Sequence, residues 1–360
     1  MSHPPDISVA LLLRQLNQSQ GRWLVVADEN WQGLDWSTVH STKANSRVVF
    51  SNRFDIAEAA QQARLDCTFN DFDFSHLAPQ SFDGVVYRVS KERATNHHII
   101  NCAGTLLKSG GTLLLGGEKN DGLKTYAKQA GKLFDNPTHA EKNGRAYIAS
   151  ITLDQLQPIP LDDQDYPQLR AVHLNNQLTV HSKPGIFGWD KIDRGSALLA
   201  AHLPQFLDSY PKPPQSVLDL GCGYGYLALC ASQYNFQQIV ATDNNAAALR
   251  ATRENLGSID GIHWNVIAAN AGDQISEQFD TILCNPPFHR GFTTDNHLSA
   301  KFLQNTQRLL KPDGRALFVV NTFIPLEQKA KHFFETVEVV ETDGSFKLVM
   351  LTKLGQHKFK

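Results

Sequence analysis

Cysteine is scarce in this 360-residue chain, which contains only five. They are Cys67, Cys102, Cys222, Cys230 and Cys284, and no two of them form a Cys-x-x-Cys pair. An odd number of scattered thiols, most of them in apolar runs, argues against a disulfide framework and against a cysteine zinc site. We therefore expect reduced, mostly buried thiols in a cytosolic protein.

Long apolar runs and an excess of one charge sign are also missing. No stretch of about 18 apolar residues occurs, and the apolar part of residues 1–16 is too short and interrupted for a signal peptide. The 34 basic and 36 acidic residues give a net charge of −2, which excludes a globally basic nucleic-acid coat but not a local basic groove. We expect a soluble, cytoplasmic protein that does not bind a membrane.

Several common catalytic motifs are absent. The sequence has no G-x-S-x-G, no G-x-x-x-x-G-K-[ST] and no H-E-x-x-H. Its fourteen histidines are scattered, with His97-His98 as the only adjacent pair. We therefore expect no metal site.

The length favours two domains of roughly 150 residues each. Proline and acidic residues are dense between Pro158 and Pro167, where neither a helix nor a central strand can continue. We interpret residues 158–170 as a linker between domains at 1–157 and 171–360. A hairpin with Asn175-Asn176 in its turn is expected just after this linker.

The second half alternates predicted strands and helices. The predicted strands are 216–220, 238–243, 279–284 and 315–321, and the predicted helices are 226–233, 246–256 and 301–310. This alternation is typical of an α/β fold whose parallel sheet is covered on both faces. Ligands of such sheets bind beyond the carboxyl ends of the strands.

The first half repeats this order, with similar segments at 22–28, 47–52, 82–87 and 106–111. We favour a duplication that gives two tandem Rossmann-like domains, while two unrelated α/β domains remain the alternative. The first copy lacks a glycine cluster and has Arg88-Val-Ser-Lys91 after its fourth strand, where the second copy has Asn285-Pro-Pro-Phe288. We predict that only the second copy binds a cofactor and catalyses. The degenerate first copy would support it or bind substrate.

A glycine turn follows the first strand of the second copy, in Asp219-Leu-Gly-Cys-Gly-Tyr-Gly225. Glycines let a ligand approach the backbone closely, but the spacing differs from the dinucleotide fingerprint G-x-G-x-x-G. The acid before the glycines can pair with a cation or with hydroxyls. Asp243 ends the next strand and is placed to accept ribose hydroxyls, with a helix N-cap as the alternative role.

Asn285-Pro-Pro-Phe288 is the most specific motif. Two prolines fix the backbone and remove two N–H donors, which leaves the Pro286 carbonyl and the Asn285 side-chain oxygen as acceptors. Two acceptors can hold a planar amino group and make its nitrogen more nucleophilic, and Phe288 can stack on a base. The alternative is a rigid turn.

These motifs resemble those of class I S-adenosylmethionine-dependent methyltransferases that modify amino nitrogens. The resemblance is closer to the guanine-N2 methyltransferases of bacterial ribosomal RNA, and it covers residues 178–353. It implies two class I methyltransferase domains of which the N-terminal one is degenerate, S-adenosyl-L-methionine as the cofactor, and guanine N2 of 16S ribosomal RNA in the 30S subunit as the target. Arg194 departs from the pattern, since a small or apolar residue is expected between Asp193 and Gly195.

The resemblance also assigns roles to residues. Cofactor binding would fall to residues in four places along the second copy: Asp219, Gly221, Cys222, Gly223 and Gly225 in the glycine turn, Asp243 at the ribose, Asn244 beside the adenine, and Asn270 at the adenine amino group. Catalysis would rest on Asn285, Pro286, Pro287 and Phe288. Phe187 and Asp190 would lie in the segment that leads to the cofactor. RNA contacts would come from Arg250, Arg253, His289 and Arg290, each of which has a purely structural or solvent-exposed role as its alternative.

Other functions remain open. Amino methyltransferases of 23S ribosomal RNA, of adenine N6 and of protein glutamine N5 share the same loop. A non-catalytic RNA-binding factor is a further alternative, while the glycine spacing disfavours a nicotinamide dehydrogenase. A paired target base would have to flip out of its helix, at a cost of a few kcal/mol. The expected assembly is a monomer.

Overall fold

The computed structural model describes residues 6–174, 178–287, 289–290, 293–294 and 296–353; of residues 289, 290, 293, 294, 296 and 297 only the backbone is described. Contacts divide the chain into two compact units, Met1–Gln168 (unit 1) and Leu169–Lys360 (unit 2). Each unit has its own buried core. The domain limits 1–157, 158–170 and 171–360 stay predictions.

Unit 1 is built on one seven-stranded sheet in the order β3-β2-β1-β4-β5-β7-β6. The first five strands in that order pair in parallel, and β7 and β6 are antiparallel. Its strands and helices are α1 (Ile7–Gln18), β1 (Trp23–Ala27), β2 (Arg47–Ser51), α2 (Phe54–Gln62), β3 (Asp66–Phe69), β4 (Phe82–Arg88), α3 (Arg93–Leu106), β5 (Leu107–Glu118), α4 (Leu123–Leu133), β6 (Glu141–Asn143) and β7 (Ala146–Thr152).

The central strands of unit 1 are apolar because helices cover both faces of the sheet. Every residue of β1 and of β2 is buried. Helix α1 begins after Asp6, whose side chain accepts hydrogen bonds from the Ser8 and Val9 N–H groups. The proline-rich segment after β7 is held against α3, where the Asn101 side chain exchanges two hydrogen bonds of 2.9 Å with the Leu161 backbone.

Unit 2 opens with a two-stranded hairpin and continues with a second seven-stranded sheet, in the order β12-β11-β10-β13-β16-β18-β17. Its elements are β8 (Arg170–His173), β9 (Thr179–Ser182), α5 (Arg194–Asp208), β10 (Ser216–Leu220), α6 (Tyr226–Ala231), β11 (Gln238–Asp243), α7 (Ala246–Leu256), β12 (His263–Ala268), β13 (Phe279–Cys284), β14 (His289–Arg290), β15 (Thr293–Thr294), α8 (Asn296–Leu309), β16 (Leu310–Asn321), α9 (Leu326–Ala330), β17 (Thr336–Thr342) and β18 (Phe346–Thr352). The predicted turn residues Asn175 and Asn176 lie outside the described residues.

The two sheets have the same order, which confirms two tandem Rossmann-like domains. Even the irregularity recurs, because the register of the fourth strand shifts after Phe82 in unit 1 and after Phe279 in unit 2. In unit 2 the strand order reverses between β10 and β13, which is the switch point where α/β sheets bind ligands.

Two predicted boundaries near the end of the sheet differ from the structure. Helix α8 begins at Asn296 rather than Lys301, and β16 begins at Leu310 rather than Arg315. Leu310 already pairs with Phe279, and the Lys-Pro-Asp-Gly turn interrupts the ladder before Arg315 pairs with Thr281.

Candidate active site

The glycine turn between β10 and α6 has a left-handed backbone at Gly221, Gly223 and Gly225, with φ of 83°, 56° and 87°. Thr252 of α7 packs beneath it: a Cβ atom on Gly225 would lie 2.9 Å from the Thr252 methyl carbon, and Thr252 Oγ1 donates to the Gly223 carbonyl at 2.9 Å. A Cβ atom on Gly223 would meet nothing within 4 Å. The turn is thus supported from below and open at Gly223.

Asp219 is the buried acid of this site. Its Oδ2 accepts the Ala228 N–H at 2.9 Å, whereas its Oδ1 has no hydrogen-bond partner among the described residues. Burial raises the pKa of Asp219 to about 7; the Ala228 hydrogen bond lowers that pKa, and the nearby Asp243 charge raises it. A buried carboxyl oxygen without a partner is costly and suits a cationic ligand group.

Asp243 links the glycine turn to the next helix. Its Oδ2 accepts the Gly223 N–H at 2.9 Å and its Oδ1 accepts the Asn245 N–H at 2.8 Å. Each carboxylate oxygen can accept more than one hydrogen bond, so these bonds are compatible with ribose recognition as well. Asn244 follows half-buried, and Asn270 lies just beyond β12, where its N–H donates to Gln274 Oε1 at 3.2 Å. Parallel neighbouring strands bring all these residues to one edge of the sheet.

Asn285 follows β13 at the same edge. Its Nδ2 donates to Asp193 Oδ2 and to Ser196 Oγ, both at 2.8 Å. No hydrogen bond reaches Oδ1 from the part of the chain that the structure describes. Pro286 is buried and Pro287 is exposed. Phe288 lies outside the described residues, so the stacking role assigned to it stays a prediction.

Residues 183–193, the bridging segment, contact the glycine turn, the start of α7 and Asn285. The Gly185 carbonyl accepts from Asn245 Nδ2 at 2.8 Å, and the Lys191 carbonyl accepts from the Tyr224 hydroxyl at 3.1 Å. Phe187 of this segment is 83% exposed, which argues against core packing for its ring.

Sequence reasoning missed Asp193 and Ser196. Asp193 N-caps α5 by accepting the Ser196 N–H at 3.0 Å, and this Asp-x-x-Ser spacing before an apolar helix was the available signal. Asp190 was named instead, and it is exposed. Arg194 extends outward with 71% of its side chain exposed, 3.4 Å from Asp343.

The four residues predicted for RNA binding belong to two elements, α7 and β14. Arg250 and Arg253 are exposed on α7, and Arg253 donates to the Val266 carbonyl at 3.2 Å. Because α7 runs back from the carboxyl edge, Arg253 in its last turn lies away from Asn285. The backbone of His289 and Arg290 pairs with Thr293–Thr294. All four RNA roles stay predictions.

Both halves of the chain match models of known protein families. The family model "Methyltransferase small domain" matches residues 177–350, and "Methyltransferase small domain N-terminal" matches residues 9–164. A ribosomal RNA small subunit methyltransferase C of Pseudomonas aeruginosa is 31% identical over 293 residues, which cover 79% of this chain and 85% of the relative.

The chain belongs to the ribosomal RNA small subunit methyltransferase C family.

Other comparisons agree with this family. A ribosomal RNA small subunit methyltransferase C of Shewanella loihica is 29% identical, with coverage of 86% of this chain and 87% of the relative. The structure of a Thermus thermophilus 16S rRNA N2 G1207 methyltransferase, in complex with AdoMet and guanosine, superposes with a TM-score of 0.82. It covers 97% of this chain and 92% of that one at 22% identity, so it shows a shared two-domain fold.

Among the described residues of unit 1, an arginine takes the position of Asn285. The shared register shift aligns Arg88 with Asn285, and Arg88 is buried in ion pairs of 2.8 Å with Asp6 and with Asp121. Burial, reinforced by the Glu29 charge, raises the pKa of nearby Asp28 to about 7, although hydrogen bonds from Asn30 and the Arg88 charge oppose the rise. An ion-pair network therefore occupies the position where unit 2 presents an amide.

Two features are absent from the described residues. No group of three or more His, Cys, Asp or Glu side chains could hold a metal ion. No helix within the described ranges is long and apolar enough to cross a membrane.

Proposed function

We propose that unit 2 transfers a methyl group from S-adenosylmethionine to the N2 amino group of a guanine in 16S ribosomal RNA, acting on the 30S subunit. The orientation of the Asn285 carboxamide beside the glycine turn carries this proposal, because it presents a hydrogen-bond acceptor to an amine. Family membership and the guanosine bound by the Thermus thermophilus protein support guanine over adenine or glutamine.

The residues that would hold the cofactor fit it. Asp219 offers a buried carboxyl oxygen for an ammonium group, Gly223 leaves the turn open, and Asp243 would accept ribose hydroxyls. Asn244 and Asn270 lie along the same edge for the adenine. When bound, S-adenosylmethionine supplies a methyl group already activated by its sulfonium centre.

The chain's own contribution is to hold the amine. Asn285 Oδ1 and the Pro286 carbonyl would accept the two N–H bonds of the exocyclic amino group, and this fixes the direction of its nitrogen lone pair. Pro287 removes an N–H that would otherwise compete for these acceptors. The nitrogen becomes acidic once alkylated, so its proton can pass to water or to His289 without a dedicated base.

Unit 1 is proposed to support unit 2 or to bind the RNA, since its own site is closed by Arg88. Because ribosomal RNA is the proposed substrate, we expect the protein to act in the cytoplasm. A monomer stays the expected assembly.

Mass mapping of ribosomal RNA from cells that lack this protein tests the function. The expected result is loss of one N2-methylguanine from 16S RNA, restored by the wild-type chain. Loss of a 23S guanine, of an N6-methyladenine or of a methylated protein glutamine would each contradict the guanine-16S assignment and point to that alternative.

The variant Asn285→Ala is the first predicted loss of function. It removes one acceptor for the amine without touching the glycine turn. We expect no restoration of the modification in cells, and at least a 10²-fold lower rate with purified protein. Isothermal titration should give an S-adenosylmethionine affinity within about threefold of wild type. Normal turnover would contradict the catalytic assignment.

A further inference from the structure

The orientation of the Asn285 carboxamide is decisive for any amine-binding site. A carboxamide has one acceptor oxygen and one donor NH₂ of nearly the same shape. If the group were rotated by 180°, its NH₂ would face the NH₂ of the substrate, and two donors would oppose each other. A site that binds an amine therefore needs a device that selects one of the two orientations.

The structure contains such a device in Asp193 and Ser196. Asp193 Oδ2 and Ser196 Oγ each lie 2.8 Å from Asn285 Nδ2, so both N–H bonds of the amide have an acceptor. An ionised carboxylate can only accept hydrogen bonds, so the rotated amide would place oxygen against oxygen. Asp193 is itself fixed, since the same Oδ2 accepts the Ser196 N–H at 3.0 Å as the N-cap of α5.

The internal duplication shows that this contact belongs to a recurring position of the fold. In unit 1, Asp6 N-caps α1, the equivalent first helix, and its Oδ2 lies 2.8 Å from the guanidinium of Arg88. Arg88 occupies the position of Asn285. In both units, therefore, the acidic residue that N-caps the first helix contacts the residue at the carboxyl end of the fourth sheet strand. In unit 2 that residue is an amide, and the contact selects its orientation.

We propose that Asp193, assisted by Ser196, is a positioning residue that directs Asn285 Oδ1 toward the amino group of the substrate. This inference rests on the proposed amino-methyltransferase function. The negative charge of Asp193 also polarises the amide, because a charge-assisted hydrogen bond on Nδ2 increases the negative charge on Oδ1. A more negative Oδ1 better stabilises the positive charge that develops on the amine nitrogen during transfer.

Two substitutions at Asp193 separate positioning from folding. Asp193→Ser keeps an N-cap for the Ser196 N–H but is too short to reach Asn285. Asp193→Asn keeps an oxygen for both contacts, loses the charge, and replaces the second carboxylate oxygen by an NH₂ group. With full-length protein and 30S subunits, we expect kcat to fall about 10²-fold for Asp193→Ser and clearly less for Asp193→Asn, with Tm and the S-adenosylmethionine affinity little changed.

The neighbouring Arg194→Ala serves as the matched control and should leave kcat within twofold of wild type. An Asp193→Ser kcat within threefold of wild type would overturn the proposal. The proposal would also be overturned if Asp193→Ser lowered kcat, Tm and cofactor affinity together and Asp193→Asn restored none of them. That pattern would show a purely structural role for Asp193. If Asp193→Ser fails to fold, Ser196→Ala replaces it, with a several-fold lower kcat expected and an unchanged kcat overturning the inference.

The activity of the wild-type chain distinguishes a wrong substrate assignment from a wrong positioning role for Asp193. If it methylates an amino group other than guanine N2, the proposed substrate is wrong, but the Asp193 variants still test positioning on that acceptor. If it methylates guanine while Asp193→Ser is as fast as wild type, only the positioning role fails.

Discussion

Asp219 shows how one buried side chain can oppose folding and still serve binding. Its carboxyl group has a pKa of about 7 in the native chain because burial disfavours its charge. The unfolded value is about 3.9. A raised native pKa gives stability that is fully present below about pH 4 and is lost as the pH rises through 7. At neutral pH and above, the charged form therefore costs the empty site free energy.

The variant Asp219→Asn should make this cost visible. An uncharged amide keeps an acceptor for the Ala228 N–H and removes the buried charge, so its Tm relative to wild type should rise by a few degrees at pH 8 and little at pH 5. Differential scanning fluorimetry without cofactor measures this. The same variant should bind S-adenosylmethionine at least tenfold more weakly. A Tm difference that does not depend on pH would refute the argument.

At the scale of elements, the glycine turn divides its residues between packing and binding. Gly225 lies against Thr252 of α7, and its φ of 87° is disfavoured for residues with a Cβ atom. Gly223 has open space in front of it and donates its N–H to Asp243. The β10–α6 connection is thus packed against α7 at Gly225 and open to a ligand at Gly223.

Two alanine variants should separate these roles. Gly225→Ala adds a contact of 2.9 Å and a left-handed alanine, so we expect a loss of about 1–3 kcal/mol of stability in urea unfolding. Gly223→Ala should lose less stability but at least tenfold of cofactor affinity, because its methyl group enters the open space. The reverse ranking of the two variants in stability would contradict the assignment.

Helix α3 and the proline-rich segment are joined by a charge contact in unit 1. His98 Nδ1 lies 3.3 Å from Asp163 Oδ2, and His98 is buried. Burial disfavours the charged imidazole, but hydrogen bonds with Asp163, Cys102 and the Phe72 carbonyl outweigh it and raise the pKa of His98 to about 10. His98 is thus a buried, charged residue that links α3 to the proline-rich segment.

This contact predicts a pH dependence of stability. The native pKa of His98 exceeds the unfolded value of about 6.5, so its stabilisation is complete below that pH and is lost as the pH rises toward 10. We expect Tm to fall between pH 7 and pH 10, and His98→Gln or Asp163→Asn to flatten that fall. The same slope in all three proteins would show that other groups cause it.

At the scale of the whole molecule, the two copies of the fold differ at the position of Asn285. The two sheets share strand order and register shift, yet an ion pair holds the site position in unit 1 where an amide holds it in unit 2. Because unit 2 has its own core, a chain of residues 169–360 should retain S-adenosylmethionine binding. It should lose most of its activity on 30S subunits if unit 1 supports catalysis or binds RNA. Full activity of this fragment would exclude both roles for unit 1.

Much of this fold could be predicted from local patterns. The strands 238–243 and 279–284 and the helix 246–256 have the predicted bounds, because the apolar runs that stop at Asp243 and before Asn285, and the helical spacing that follows, are signals within a few residues. The helix N-cap is Asn245 rather than Asp243, the residue that the sequence offered for that role. The start of β16 could not be predicted, since its first ladder pair depends on the bulge in β13.

The sequence by itself determined the alternation of strands and helices in unit 2, its repetition in unit 1, and the glycine and Asn-Pro-Pro motifs that indicate the family. These features can be recognised from residues close together in the sequence and from the repetition of their pattern. Only the tertiary structure decided which way the Asn285 amide faces and why Arg88 closes the first copy. Those outcomes depend on contacts between residues 92 and 82 positions apart, Asn285 with Asp193 and Arg88 with Asp6, which form only when a helix N-terminus packs against the end of a strand.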